Sequence, residues 1–150
     1  MPIFNVDGSA FIEKNWVDFK KIMPKRKNTN SAFACSRLSD VDGGVDLNRN
    51  FGVDFGQIDD IVNFQGDGYK ADPLGKPKDA KEAYKNPCNT NFAGPNAFSE
   101  PETQAFKNFL TAKKDELAFV INIHSNGNAF IYPFNGRQKN DIEDRRPGLM

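Results

Sequence analysis

The chain has 150 residues, with 20 lysines and arginines against 20 aspartates and glutamates, and a single histidine, His124. This length suits one domain. The balanced charge gives no broad attraction to nucleic acids or membrane surfaces, so we expect neither as a partner. No apolar run is long enough for a membrane span or for the core of a signal peptide. The single histidine excludes zinc motifs that need two histidines within this chain.

The N-terminal half predicts short elements joined by loops. Residues Met1–Gly8 are typical of a strand end followed by an Asp-Gly turn, and residues 11–23 carry apolar side chains partly at helical spacing. Residues 24–44 are typical of a loop. Apolar and polar residues alternate over 44–51, which predicts a short strand. We interpret residues 52–97, which show little periodicity, as a surface excursion or as part of a larger body.

The C-terminal half predicts a helix and two strands. The sequence Ser99-Glu100-Pro101-Glu102 is typical of a capping box, with Ser99 as the N-cap of a helix. Residues 118–123 are almost continuously apolar, which predicts a strand buried on both faces. Residues 129–132 predict another strand, and the charged residues 137–150 predict a frayed tail. This order indicates an α/β fold with a partial mixed β-sheet and flanking helices.

Two groups of side chains could carry chemistry. His124 directly follows the predicted buried strand, where ligands bind in open α/β sheets, although a lone histidine is more often an ordinary hydrogen-bonded residue. Asp46, Asn48 and Arg49 cluster on the predicted short strand, and an arginine beside an asparagine could clamp a carboxylate. The plainer interpretation is a surface arginine beside loop-capping asparagines. Both interpretations remain open at this point.

Several motifs follow one another in a characteristic order. They are Asn5-Val-Asp-Gly8, Arg26-Lys-Asn28, Gly44-Val-Asp-Leu-Asn-Arg-Asn-Phe51, Asn86-Pro-Cys88, Ala97-Phe-Ser-Glu-Pro-Glu-Thr103, Ile123-His-Ser125 and Ile131-Tyr-Pro133. Together they resemble the zinc metallocarboxypeptidases of the carboxypeptidase A type over most of the chain. The resemblance implies that residues 1–136 are the central part of an α/β catalytic domain with an incomplete sheet. Residues 137–150 would then be a truncated tail.

The resemblance also implies roles for individual side chains. His124 would be one of three zinc ligands, and Asp46 would orient a zinc-bound histidine. Asn48 and Arg49 would hold the free C-terminal carboxylate of the substrate. Arg26 would be catalytic, polarising the scissile carbonyl and steadying the oxyanion.

Further residues take roles from the same resemblance. Ser125 and Asn126 would contribute to the substrate subsites. The two cysteines permit one disulfide without requiring it, and the resemblance implies that Cys35 and Cys88 form the family's pair. Two more zinc ligands are expected upstream of this sequence, and the catalytic glutamate is expected downstream.

The implied function is zinc-dependent hydrolysis of the C-terminal peptide bond of peptides or proteins. Because only one of three zinc ligands is present, we expect the chain to be a fragment that is inactive on its own. The alternative is a non-catalytic module that binds peptide C-termini. The resemblance further implies a secreted or lysosomal protein, although we expect no signal peptide in this chain.

Overall fold

A computed structural model describes residues 3–35, 43–53, 55–56, 84–125 and 130. Helix α1 spans Val6–Phe19 and helix α2 spans Pro101–Lys113, with 3₁₀ turns at Ser31–Phe33 and Leu47–Arg49. No residue within these ranges is assigned to a strand. None of the helices in the described ranges is long and apolar enough to cross a membrane.

Helix α1 begins earlier than the sequence pattern predicts. Asn5 is its N-cap, and the Asn5 side chain accepts a hydrogen bond from Gly8 N at 2.9 Å. The predicted Asp7-Gly8 turn is therefore wrong, because both residues lie in the first helical turn. The absence of a side chain at Gly8 lets the helix approach a neighbouring segment, since a Cβ there would lie 2.8 Å from Lys25 O.

The segment predicted as a strand, residues 44–51, forms a tight turn instead. Its middle is the second 3₁₀ turn, which Asp46 caps by accepting from Asn48 N at 3.1 Å. Asn28 N donates to Val45 O at 3.0 Å, as in a strand pair, but Val45 N donates to the Asn28 side chain at 2.8 Å. Because a side-chain carbonyl replaces the backbone acceptor, the pairing does not continue as a ladder.

Gly44 allows this turn to approach the segment that contains Asn28. Its φ of 92° lies in the left-handed region, and a Cβ there would collide with the backbone oxygen of Asn28. A glycine is therefore required by both the backbone conformation and the available space.

A cluster of phenylalanines links the two helices to the turn. The ring of Phe51 lies 6.0 Å from Phe4, 5.9 Å from Phe98 and 6.0 Å from Phe106, measured between centroids. Phe4 also contacts Phe106 edge to face at 5.5 Å. Such ring pairs contribute roughly 0.5–1.5 kcal/mol each beyond the burial of their surface. The cluster therefore holds residues before α1, after the 3₁₀ turn and within α2 in one apolar unit.

A disulfide joins Cys35 to Cys88 across a sequence separation of 53 residues. The buried side chain of Lys27 lies beside this connection. Its Nζ donates to Pro87 O at 2.7 Å and to Asn89 O at 3.1 Å, the carbonyls on either side of Cys88. The bond and the lysine together fasten this loop to the N-terminal half of the chain.

Helix α2 is present, but its capping differs from the predicted capping box. The N-cap is Glu100, which makes no side-chain cap hydrogen bond, and Pro101 is the first helical residue. Ser99 Oγ donates to Glu100 Oε1 at 2.7 Å and accepts from Asn50 Nδ2 at 2.9 Å. The predicted capping box is wrong because Ser99 binds buried polar side chains rather than the first helical turn.

The buried strand predicted for residues 118–123 is not formed. These residues have neither helix nor strand assignment, and their side chains are exposed, with Ile123 at 86%. A strand with two apolar faces needs neighbours that cover its side chains and bind its backbone, and no described residue supplies one. The strand predicted over 129–132, apart from Phe130, and the tail of 137–150 lie outside the described residues.

Candidate functional site

Three predicted site residues lie on one turn, residues Val45–Asn50, which we call the clamp turn. Asp46 fixes it, because Asp46 N donates to Phe92 O at 2.8 Å while Asp46 Oδ1 caps the 3₁₀ turn. Asn48 is exposed and Arg49 is half-buried. The buried carboxylate of Asp46 thus anchors a turn whose following residues reach the surface.

Asp46 also binds Arg26. Arg26 Nη2 and Nε donate to Asp46 Oδ2 at 2.6 Å and 3.0 Å, and the side chain of Arg26 is 46% exposed against 3% for Asp46. The structure therefore brings two predicted site residues together as partners of each other. In the described structure the Asp46 carboxylate binds a guanidinium and the amide of Asn48, and no imidazole contacts it.

Arg49 is held much more loosely than Arg26. Its Nη1 donates to Asn48 O at a long 3.3 Å, and its Cζ lies 6.0 Å from the centre of the Tyr84 ring. Its Nε is buried and has no hydrogen-bond partner among the described residues. A buried donor without a partner costs roughly 1–3 kcal/mol. An incoming carboxylate that orders this guanidinium would offset part of that cost.

Beneath the clamp turn, Asn50 is a fully buried hydrogen-bonding centre. Its Nδ2 donates to Ala93 O at 2.7 Å and to Asn96 O at 3.0 Å. Its Oδ1 accepts from Thr103 Oγ1 at 2.6 Å and from Glu100 N at 3.3 Å. One side chain therefore joins the clamp turn, the loop before α2 and the first turn of α2.

Glu100 is a second buried centre, with 0% exposure. Its Oε2 accepts from Asn28 Nδ2 at 2.6 Å and from Asn30 Nδ2 at 2.9 Å. The sequence analysis did not assign roles to Asn50 and Glu100, although both lie within motifs that carry the family resemblance. The motifs signalled that these residue types matter together, but burial and partners emerge only in the folded chain.

Glu102, on the first turn of α2, has a raised pKa. Burial raises it above the ordinary value of 4.5, and the charges of Asp7 and Glu100 raise it further. A backbone hydrogen bond and the amide of Asn28 act in the opposite direction. Its Oε2 is buried without a partner among the described residues, which agrees with desolvation as the dominant cause.

We expect Glu102→Gln to raise the melting temperature at pH 7. A carboxyl group with a raised pKa in the folded state binds its proton more tightly there than in the unfolded state. Proton binding therefore contributes its full stabilisation of the fold below the unfolded-state pKa, and this stabilisation is lost as the pH rises through the raised pKa. Glutamine resembles the protonated form at every pH. The gain should therefore shrink as the pH falls towards 4, which circular dichroism melts can follow. An equal gain at both pH values would contradict this account, and exposed Glu116→Gln is the control.

Two further predicted site residues, His124 and Ser125, lie on an exposed segment. His124 Nε2 is 3.2 Å from Asn122 Nδ2, and Ser125 is also exposed. Across the described ranges, no hydrogen bond or ion pair joins His124 or Ser125 to the clamp turn. Asn126 lies outside those ranges.

The described residues do not form a zinc site by themselves. No group of three or more histidine, cysteine, aspartate or glutamate side chains in this part of the chain could hold a metal ion. Cys35 and Cys88 are bonded to each other, and Asp46 is bound to Arg26. Because a catalytic zinc ion takes three protein ligands, the single imidazole of His124 is insufficient.

Residues 1–147 match the zinc carboxypeptidase family. The chain therefore belongs to this family of hydrolases, and the resemblance inferred from the ordered motifs is confirmed. The family domain is α/β, but the sheet predicted for this chain has no strand among the described residues.

Named relatives show how much of a carboxypeptidase the chain represents. Human carboxypeptidase A6 is 28% identical over 134 residues, which cover 89% of this chain and 23% of the relative. Human carboxypeptidase B is 26% identical over 134 residues, which cover 89% of this chain and 24% of the relative. Carboxypeptidase A5 of Macaca fascicularis is 30% identical over 144 residues, which cover 96% of this chain and 25% of the relative. The chain thus spans about a quarter of the length of these relatives. No solved structure matches it significantly.

Proposed function

We propose that this chain supplies the part of a metallocarboxypeptidase that anchors the substrate, in an enzyme that hydrolyses the C-terminal peptide bond of peptides or proteins. Asn48 and Arg49 bind the free C-terminal carboxylate. The observation that carries the proposal is the state of Arg49. Its buried Nε has no partner among the described residues, whereas the guanidinium of Arg26 is committed to Asp46.

The chemistry of a free C-terminus suits the clamp turn. A carboxylate has two oxygens in one plane, and a guanidinium presents parallel N–H donors that match them. The exposed amide of Asn48 adds a donor next to Arg49 in the chain. A peptide that ends in an amide lacks the charge and one acceptor, so this pair favours true chain ends, as an exopeptidase requires.

The other assignments belong to the complete protein. His124 provides one zinc ligand there, with two more contributed from outside this chain, and Ser125 and Asn126 contribute to the substrate subsites. Arg26 polarises the scissile carbonyl while its bonds to Asp46 also brace the clamp turn. Residues 1–136 form the central part of the catalytic domain. The disulfide supports a secreted or lysosomal protein.

The test compares two peptides that differ only at their ends, one with a free C-terminal carboxylate and one with a C-terminal amide. We expect the chain to bind the acid at least about tenfold more tightly, because hydrogen bonds to charged groups contribute roughly 1.5–3 kcal/mol. Arg49→Gln should abolish the preference. Arg49→Lys should retain part of it, since a lysine keeps the charge but loses the fork. Isothermal titration calorimetry measures both affinities.

Lys113→Gln is the matched control, because it removes one positive charge from the surface of α2, where Lys113 pairs with Glu116. It should leave the preference unchanged. Equal binding of acid and amide by the unmodified chain would overturn the proposed function. Mass spectrometry of the same samples should find the peptide intact, because one imidazole does not hold a catalytic zinc ion.

A further inference from the structure

Glu100 is connected to both ends of the clamp turn, through Asn28 at the beginning and through Ser99 and Asn50 at the end. We propose that Glu100 is a positioning residue for the carboxylate clamp: it fixes the shape of the turn so that Asn48 and Arg49 face the same ligand. The inference rests on the proposed function of that pair. Glu100 itself is fully buried and does not reach the ligand.

The first connection runs through Asn28 to the beginning of the clamp turn. Asn28 Nδ2 donates to Glu100 Oε2 at 2.6 Å, which fixes the orientation of the Asn28 amide. The opposite side of that amide, Oδ1, accepts from Val45 N at 2.8 Å. Val45 directly precedes Asp46, which anchors the clamp turn. The Glu100 carboxylate is therefore connected to this anchor through the side-chain amide of Asn28.

The second connection runs through Ser99 to the end of the clamp turn. Ser99 Oγ donates to Glu100 Oε1 at 2.7 Å and accepts from Asn50 Nδ2 at 2.9 Å. The backbone N of Glu100 also donates to Asn50 Oδ1 at 3.3 Å. Asn50 directly follows Arg49. One carboxylate oxygen of Glu100 is therefore connected to the beginning of the clamp turn, and the other is connected to its end.

A carboxylate suits this place better than an amide. Asn28, Asn30 and Ser99 all present donors to it, and a carboxylate accepts on both oxygens. The N-terminus of α2 favours the negative charge. A glutamine would keep the volume but turn one acceptor into a donor. The exchange also removes the negative charge, and a glutamine nitrogen in the place of Oε1 would take away the acceptor to which the Ser99 hydroxyl donates, which weakens the connection to the end of the turn.

The experiment measures the acid-to-amide affinity ratio of Glu100→Gln with the same two peptides. A variant that is only partly folded loses apparent affinity for both peptides by the same factor, so the ratio cancels any loss of folding. We expect the ratio to fall by about tenfold, the loss of one charge-assisted hydrogen bond. Glu116→Gln, an exposed glutamate with the same change in charge, should keep the ratio of the unmodified chain.

Ser99→Ala is the second variant, since it removes only the hydroxyl between Glu100 and Asn50. Its ratio should also fall, and hydrogen exchange of the backbone amides of 45–50 should become faster in both variants than in Glu116→Gln. An unchanged ratio in Glu100→Gln and Ser99→Ala would overturn this inference alone. A ratio near one in the unmodified chain would overturn the proposed function instead, so the two failures are distinguishable.

Discussion

Replacing Asn50 by alanine is expected to lower the free energy of unfolding by about 4 kcal/mol, because several buried groups lose their partner at once. The buried carbonyl of Ala93 and the buried backbone N of Glu100 both bind this side chain, and the Thr103 hydroxyl would lose one of its two acceptors. The total stability of a small domain is roughly 5–15 kcal/mol, so the variant should be close to unfolded. Urea titration followed by circular dichroism measures the change.

Two further variants separate the destabilisation expected for Asn50→Ala from the smaller cost of removing an asparagine that makes fewer buried hydrogen bonds. Asn15→Ala is the matched control, because the Asn15 amide donates to the carbonyl of Phe11 within α1, and it should cost less than about 1 kcal/mol. Asn50→Asp keeps the shape but places an oxygen against two carbonyls, so it should also be strongly destabilising. Similar costs for Asn50→Ala and Asn15→Ala would show that Asn50 is not a structural centre.

The second large effect is expected from removing the disulfide. Replacing Cys35 and Cys88 by serine frees a loop with a sequence separation of 53 residues. The chain-entropy account gives a loss of roughly 4 kcal/mol for a loop of this length. Equilibrium unfolding in urea, compared with that of the unmodified chain, measures it.

Reduction of the unmodified chain with a small thiol is the matched comparison for the double variant, since it breaks the same bond without changing the sequence. Both should be destabilised to a similar degree. A double variant as stable as the oxidised chain would mean that Lys27, through the carbonyls of Pro87 and Asn89, suffices to fasten the loop.

The sequence predicted those parts of the fold that local patterns decide. Helix α2 was predictable because Pro101 at its start and the apolar face that includes Phe106 are local features. The segment 44–51 was not, because its alternating pattern is typical of a strand while its conformation depends on a side chain 17 residues away. That side chain is Asn28, whose amide binds Val45 N.

The apolar segment of residues 118–123 shows the limit of pattern reasoning most clearly. Its composition is that of a strand buried on both faces, yet a strand forms only where partner strands bind its backbone. The described part of the chain contains no such partner, and the segment stays exposed. A pattern can state what a segment requires, but the rest of the domain must supply it.

The candidate site was predictable in composition but not in its bonding. Asp46, Asn48 and Arg49 were expected on a short strand, but they lie on a 3₁₀ turn and its N-cap. The pairing of Arg26 with Asp46 was not foreseen. The sequence alone does not specify which carboxylate an arginine pairs with, because the strength of an ion pair depends on burial and distance in the folded chain.

The central claim is that Arg49, rather than Arg26, receives a peptide carboxylate. Nuclear magnetic resonance of the chain labelled with ¹⁵N tests it through the Nε–H signals of both arginines during titration with the acid and the amide peptide. We predict that the acid shifts the Arg49 signal, that the amide leaves it in place, and that Arg26 stays bound to Asp46. A response at Arg26 with none at Arg49, or an equal response of Arg49 to both peptides, would contradict the account.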